Sequence, residues 1–270
     1  MSVFDDEKIY VASNGVDVKY LEDPYGVQNY AGEQKLIFIF QSLGDEKSEK
    51  EAERYPWTMV NGFKFLNSRK IYIKDDCGMV GCFYLGTNGK FDVEEAVEEF
   101  IRCKINEYGV LLKNVVYYGN SKGGYAALDF GFRIGGGNVC SAVPQYDLYS
   151  FIVKHKPHLK YMFPGEALDD EQSLNYRYHL ENVIKNSTSR VREVVIITSH
   201  NDETHDEHIP LLEMMLQEKK VNYQIIYNDE LFVTRHNNVV VNSLNWIYYG
   251  SITNFVGFPI PLVALSAHIE

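Results

Sequence analysis

Residues 114–133, NVVYYGNSKGGYAALDFGFR, constrain this chain more than any other stretch. Val115–Tyr118 is a short, apolar, β-rich run that ends at Gly119. Asn120, Ser121, Lys122, Gly123 and Gly124 follow, and Tyr125-Ala126-Ala127-Leu128 opens a helix-compatible run. The pattern is a strand, a sharp turn with serine at its apex, and a helix. It satisfies Gly-x-Ser-x-Gly, in which a strained turn projects the serine hydroxyl above a sheet. Gly119 and Gly123 flank the turn, where a side chain would collide with the neighbouring strand or helix. Gly124, Ala126 and Ala127 let the helix lie close to the sheet. The competing reading is a phosphate-cradling loop at a helix N-terminus. Its spacing is poor, because neither G-x-x-x-x-G-K-[ST] nor G-x-G-x-x-G is present.

The rest of the chain is placed around this turn. Lys8–Val11 and Val16–Leu21 flank Ser13-Asn14-Gly15, a strong hairpin signal, and Glu22–Gln34 reads as a loop. Leu36–Phe40 is a continuous apolar run of the kind that is buried on both faces of a parallel sheet. It leads into Gln41-Ser42-Leu43-Gly44. Asp45–Arg54 is a charged, solvated stretch, and Trp57–Leu66 is compatible with a short helix. Lys70–Ile73 predicts a strand, and the Gly-rich, aromatic 78–89 segment predicts a long loop bordering the site. Asp92 then caps a helix over Val93–Tyr108, whose apolar positions Val93, Val97, Phe100, Ile101 and Ile105 fall at helical spacing. Gly109 ends it. After the elbow helix, Gly135–Gly137 turn into a strand over Val139–Val143 that ends at Pro144-Gln145. Residues 147–190 read as a helical insertion of the kind that covers a site. Glu193–Thr198 and Asn222–Tyr227 predict strands, Ile209–Lys219 and Val239–Tyr249 helices, and residues 251–270 an apolar tail.

Two polar loops complete a constellation. Ser199–His205 follows one strand and contains Asp202; Phe232–Asn238 follows the next and contains His236. Serine, then an acid, then a histidine, each after a strand, is the chain order of α/β-hydrolases. Both loops fall at the carboxyl ends of strands, where open α/β sheets build their sites. A serine hydroxyl is a weak nucleophile and needs a base in reach. His236 suits that role, and Asp202 would orient the imidazole and stabilise its charged form, with Glu203 as the alternative acid. The expected oxyanion donors are the backbone N–H groups of Lys122 and of Ser42, with Gln41 second to Ser42. The Lys122 side chain is expected as a helix-surface charge or a local salt bridge rather than a substrate contact. His200, Asp202, His205, Asp206 and His208 could in principle ligate a divalent ion, but the spacing fits no H-E-x-x-H motif or zinc finger. The expectation is that no metal is used.

Composition narrows the classes. A chain of 270 residues suits a single domain over 1–270, with 147–190 as a lid. The net charge of −11 argues against general nucleic-acid binding, which needs a basic footprint. Cys77, Cys82, Cys103 and Cys140 form no C-x-x-C pair and read as reduced thiols. Neither a signal peptide nor a run of roughly 18 apolar residues is evident, so the expected location is the cytoplasm and no transmembrane segment is expected.

Gly119-Asn120-Ser121-Lys122-Gly123-Gly124, the Ala-rich helix, Val143-Pro144-Gln145 and the hydrophobic Leu148–Ile152 together resemble the α/β-hydrolase-type capsular polysaccharide O-acetyltransferases of bacteria. The chain is also similar to the carbohydrate O-acetyltransferase subunit of the accessory Sec system. Those proteins carry a G-S-S-K-G-G elbow, a following strand that ends in Pro-Gln, and an acid loop matched here by Asp202–His205. Their base loop is matched by His236-Asn237. The likeness spans roughly residues 35–245. Asn120 stands where serine is commoner and Arg235 where glycine precedes the base, and the accessory Sec relative resembles a triad with glutamate as its acid. The resemblance implies an α/β-hydrolase fold with a mostly parallel sheet, helices on both faces and a helical lid. It also implies acetyl transfer from acetyl-CoA to a glycan hydroxyl through an acetyl-serine, with no tightly bound cofactor. A serine esterase with the same triad and a non-catalytic glycan- or partner-binding scaffold are the alternatives. The tail, apolar over Phe255–Ala267, is expected to pack on its own domain or a dimer mate, or else on a partner of a biosynthetic complex or at a membrane surface.

Overall fold

The computed structural model describes residues 6–23, 35–64, 66, 68–164 and 173–252. In chain order the elements are β1 (Lys8–Val11), β2 (Asp17–Asp23), β3 (Leu36–Phe40), α1 (Glu51–Arg54), β4 (Arg69–Ile73), α2 (Asp92–Glu107), β5 (Val115–Asn120), α3 (Lys122–Ile134), β6 (Gly136–Ala142), α4 (Leu148–His155), α5 (Asn175–Asn186), β7 (Val191–Thr198), α6 (His205–Lys219), β8 (Tyr223–Tyr227), α7 (His236–Val239) and α8 (Leu244–Ile252). The strands form one sheet in the order β1-β2-β4-β3-β5-β6-β7-β8. The β1–β2 hairpin and the β2–β4 pair are antiparallel; from β4 to β8 every pairing is parallel.

The apolar runs explain the layers. Successive strand residues point to opposite faces, so Leu36, Phe38, Phe40, Val115 and Tyr117 enter one core, while Ile37, Ile39, Val116 and Tyr118 enter another. The first core is shared with α2, α3, α5 and α6; the second takes Phe63 and Ile247 of α8. Helices therefore cover both faces, and the architecture is an α/β-hydrolase-type sheet. The chain leaves β3 for β4 on one side and returns through α2 to β5 on the other. That reversal opens a crevice at the carboxyl ends of β3 and β5, where Gln41–Gly44 and the elbow lie.

Several sequence expectations shift. Where the sequence predicts a helix over 57–66, residues 58–64 form a series of turns, and Met59 at φ 60° sits in the left-handed region that ends helices. β6 starts at Gly136, which pairs with Val191, and not at Val139; Gly137 lies so close to β5 that a Cβ there would meet the Val115 carbonyl oxygen at 1.3 Å. α6 starts at His205, four residues earlier than expected, and the last helical stretch divides into α7 and α8. The 78–89 segment does not border the site. Phe83, Tyr84 and Leu85 are buried, with Tyr84 edge-on to Phe40 at 5.3 Å and Phe83 edge-on to Tyr125 at 5.7 Å. The aromatics make it part of the core. In the 147–190 stretch α4, a 3-10 turn (Pro157–Met162) and α5 are described. The apolar tail beyond Ile252 and the loop at 24–34 lie outside the described residues. No helix among the described residues is long and apolar enough to cross a membrane.

Candidate active site

Ser121 sits between β5 and α3 with φ 52° and ψ −120°. This is a strained conformation for a residue with a Cβ, costing on the order of 1–3 kcal/mol. Its surroundings hold it there: Ser121 N–H donates to the Ala142 carbonyl at 2.9 Å, and Tyr125 N–H donates to the Ser121 carbonyl at 3.1 Å. The flanking glycines are steric necessities. A Cβ on Gly119 would lie 2.0 Å from the Gly123 carbonyl oxygen, and one on Gly123 would lie 2.4 Å from that of Phe40.

The structure brings Ser121, Asp202 and His236 together. Ser121 Oγ lies 2.9 Å from His236 Nε2, and His236 Nδ1 lies 2.8 Å from Asp202 Oδ2. A carboxylate only accepts, so Nδ1 carries the proton, and Nε2 is left to accept the Ser121 hydroxyl. Asp202 Oδ1 accepts from the N–H and hydroxyl of Thr204 at 2.8 and 2.9 Å. Burial alone would raise the Asp202 pKa, but the His236 hydrogen bond and charge, with the two Thr204 donors, hold it below the ordinary aspartate value. The carboxylate therefore stays charged and fixes the ring.

Glu203 takes a different place. Its Oε2 accepts from the backbone N–H of His236 at 2.7 Å, so it secures the base loop and does not touch the imidazole. The expected oxyanion donors also separate. Lys122 is the first residue of α3, where N–H groups have no intrahelical acceptor. Ser42 N–H instead donates to Thr58 Oγ1 at 2.8 Å, and Gln41 N–H donates to Tyr84 OH at 2.5 Å. The Lys122 side chain is not on the surface. Its ammonium is wholly buried in an ion pair with Asp75 at 2.9 Å and donates to the Val80 carbonyl at 3.2 Å. The salt bridge stands and the surface placement is corrected, because the 75–84 segment folds over the start of α3.

Gln145 is the residue that sequence reasoning left without a role. Its Nε2 donates to Ser121 Oγ at 3.3 Å. The Pro-Gln pair was visible in the sequence, but a contact spanning 24 residues had no local signature.

Of the acid-loop histidines, His200 and His205 lie 4.9 Å apart, ring to ring, beside Tyr227, and each gives its Nδ1 to a different carboxylate. His200 Nδ1 pairs with Asp229 at 2.7 Å, and His205 Nδ1 with Asp206 at 2.8 Å. His208 is buried beside Phe151, and neither ring nitrogen has a hydrogen-bond partner among the described residues. Burial pushes its imidazole down to about 4, against the weaker pull of Glu207, Asp147 and Asp202. The unfolded chain would therefore bind a proton at His208 first, starting near pH 6.5. Stability from this group is full above that pH and is lost as the pH falls toward 4. His208→Leu should flatten the acid side of the stability curve by roughly 2–3 kcal/mol between pH 7 and 4.5, read from urea midpoints at the two pH values. Equal losses for both proteins would contradict this.

A cleft of about 590 Å³ opens over Ser121 and His236, lined also by Ser42, Leu43, Val143, Phe151, His155 and Lys156. Residues of the expected lid thus form one wall, through α4 and the residue after it.

Fold and contacts together define an α/β-hydrolase-type protein with a Ser–His–Asp arrangement in a cleft. No family model matches the chain, and no curated protein matches it. Solved structures do. The chain is similar to the capsule O-acetyltransferase of Neisseria meningitidis serogroup A, with a TM-score of 0.67 and 17% identity over 86% of this chain and 89% of that one. A histidine-to-alanine mutant of that enzyme, in complex with CoA, matches with a TM-score of 0.67 and 18% identity over 89% and 92%. An S-formylglutathione hydrolase from Agrobacterium tumefaciens matches with a TM-score of 0.60 and 12% identity over 91% and 94%. At such identities the likeness is one of fold. It includes the group of proteins that the elbow and Pro-Gln motifs resemble.

Proposed function

We propose that this chain is a serine-dependent O-acetyltransferase that moves an acetyl group from acetyl-CoA to a hydroxyl of a bacterial surface polysaccharide or its precursor. The observation that carries the reading is His236, placed within hydrogen-bond reach of both Ser121 and Asp202 at the floor of the cleft. In the first half-reaction His236 Nε2 takes the hydroxyl proton as Ser121 Oγ attacks the thioester carbonyl. The new C–O bond forms, the C–S bond breaks, and the CoA thiolate leaves with the proton that His236 returns. In the second half, the acceptor hydroxyl loses its proton to His236 and attacks the acetyl-serine ester. The C–O bond to Ser121 then breaks and Oγ regains a proton. Lys122 N–H serves the oxyanion in both halves.

Support for the donor comes from the similar fold whose solved structure is in complex with CoA, and support for the acceptor from the capsule enzyme of the same fold. The same residues serve hydrolysis if water takes the place of the sugar, as the likeness to a hydrolase fold suggests. Exclusion of water from the acyl-enzyme decides between the two outcomes. The test is thiol release from acetyl-CoA with and without a panel of capsular oligosaccharides, with the glycans analysed for new acetyl esters. The proposal expects release that rises with an acceptor glycan and matches acetyl ester formed. Release unchanged by any glycan, with free acetate accumulating, would establish the esterase instead. Neither thiol release nor turnover of aryl acetates would favour a non-catalytic scaffold.

A further inference from the structure

We infer that the side-chain amide of Gln145 is a catalytic hydrogen-bond donor at the reacting centre, adding a side-chain contact for the oxyanion to those of the backbone N–H groups. The inference rests on the serine mechanism proposed above. Acyl transfer through a tetrahedral adduct needs donors aimed at the oxygen that becomes negative. The elbow offers Lys122 N–H. The loop after β3 ordinarily offers another; here the Ser42 N–H donates to Thr58 Oγ1 and the Gln41 N–H to Tyr84 OH, which leaves that part to Leu43 and Gly44 at the cleft wall.

Gln145 adds a donor at the serine itself. Its side chain is wholly buried, and its Nε2 lies 3.3 Å from Ser121 Oγ. The hydroxyl proton of Ser121 is directed to His236, so Oγ presents lone pairs on its other side, and the NH₂ end of the amide is the end that suits them. In the adduct the oxyanion is one carbon removed from Oγ, within the sweep of the same N–H groups. The amide oxygen of Gln145 has no partner among the described residues. An amide buried at that cost needs a compensating role, because an unsatisfied buried acceptor is worth about 1–3 kcal/mol of instability.

The backbone before Gln145 is also strained. Val143 has φ 43°, a conformation that β-branched residues almost never adopt. It is held by its N–H, which donates to the Ile197 carbonyl at 2.8 Å, and by burial to 2% exposure beside the cleft. The kink ends β6 and turns the chain through Pro144 so that Gln145 reaches the serine. Strain of this kind persists where the surroundings over-determine it, and it clusters at functional sites.

The test is steady-state turnover of an aryl acetate by the wild-type protein, Ser121→Ala, Gln145→Leu and Gln145→Glu. Gln145→Leu should lose about 10²–10³-fold in kcat, with KM within roughly threefold. Gln145→Glu keeps the shape but removes the donor when ionised. Its activity relative to wild type should rise as pH falls, because a protonated carboxyl donates where the amide did. If Gln145→Leu keeps the wild-type thermal midpoint and kcat within roughly threefold while Ser121→Ala is inactive, the inference fails and the serine mechanism stands. If Ser121→Ala stays active, both fail. Should Gln145→Leu not fold, Gln145→Glu decides: a loss independent of pH relative to wild type would mark Gln145 as structural and overturn the proposal.

Discussion

Ser121→Ala should leave the fold intact and remove turnover by a factor on the order of 10⁴–10⁶. The size follows from the chemistry. Without Oγ there is no atom to carry the acetyl group, and what remains is positioning and electrostatic stabilisation alone. The strained turn tolerates alanine because its conformation is set by the Ser121 backbone bonds to Ala142 and Tyr125, not by the hydroxyl. The neighbours should sort by what they touch. Asp202→Asn keeps the volume but removes the charge that holds the His236 Nδ1 proton, and should cost about 10⁴-fold in kcat. Glu203→Gln still offers an oxygen to the His236 N–H, so its cost should stay within about tenfold. A larger loss from Glu203→Gln than from Asp202→Asn would reverse the assignment of the acid. Initial-rate assays on an aryl acetate, with circular dichroism as the control for folding, measure all three.

Lys122→Met should be strongly destabilising, at roughly 3–5 kcal/mol. Both ends of the Lys122–Asp75 pair are fully buried. Asp75 also accepts from the N–H groups of Cys82 and Tyr84, and its own N–H donates to Gln41 Oε1. Methionine fills a similar volume but leaves this carboxylate in the core with dipoles and no counter-charge. The double variant Lys122→Met with Asp75→Asn should recover a substantial part of the loss, because it removes the stranded charge. Urea unfolding of the wild type, both single variants and the double variant gives the coupling energy directly. A Lys122→Met loss below about 1 kcal/mol, the value of an exposed pair, would show that the pair does not hold the elbow.

How far the sequence could be read depends on the range of each interaction. β3, β5 and β7 announce themselves because a strand covered on both faces must be apolar at consecutive positions, as Leu36–Phe40 is. The elbow is legible because the contact that demands Gly119 is only four residues away, at Gly123. The relative order of Ser121, Asp202 and His236 is legible because strand ends converge in a parallel sheet. What could not be read depends on partners far along the chain. A lysine defaults to the surface, and nothing near Lys122 in sequence announces that Asp75 will meet it in the core. The N–H of Ser42 is well placed in sequence for an oxyanion donor, but Thr58, 16 residues on, accepts it, and the amide of Gln145 has no local target. Helix α6 starts early because two residues that are polar on paper are buried: His208 against Phe151 of α4, and His205 beside His200 and Tyr227.

Intact-protein mass spectrometry after a rapid acid quench, with the protein mixed with acetyl-CoA in the absence of any glycan, shows whether Ser121 carries the acetyl group. Peptide mapping then locates any adduct. The account predicts a single acetyl increment on the peptide containing Ser121, absent from Ser121→Ala and discharged when an acceptor glycan is added before the quench. Acetyl transfer to a glycan by a wild-type protein that never carries the increment, or equal transfer by Ser121→Ala, would contradict it.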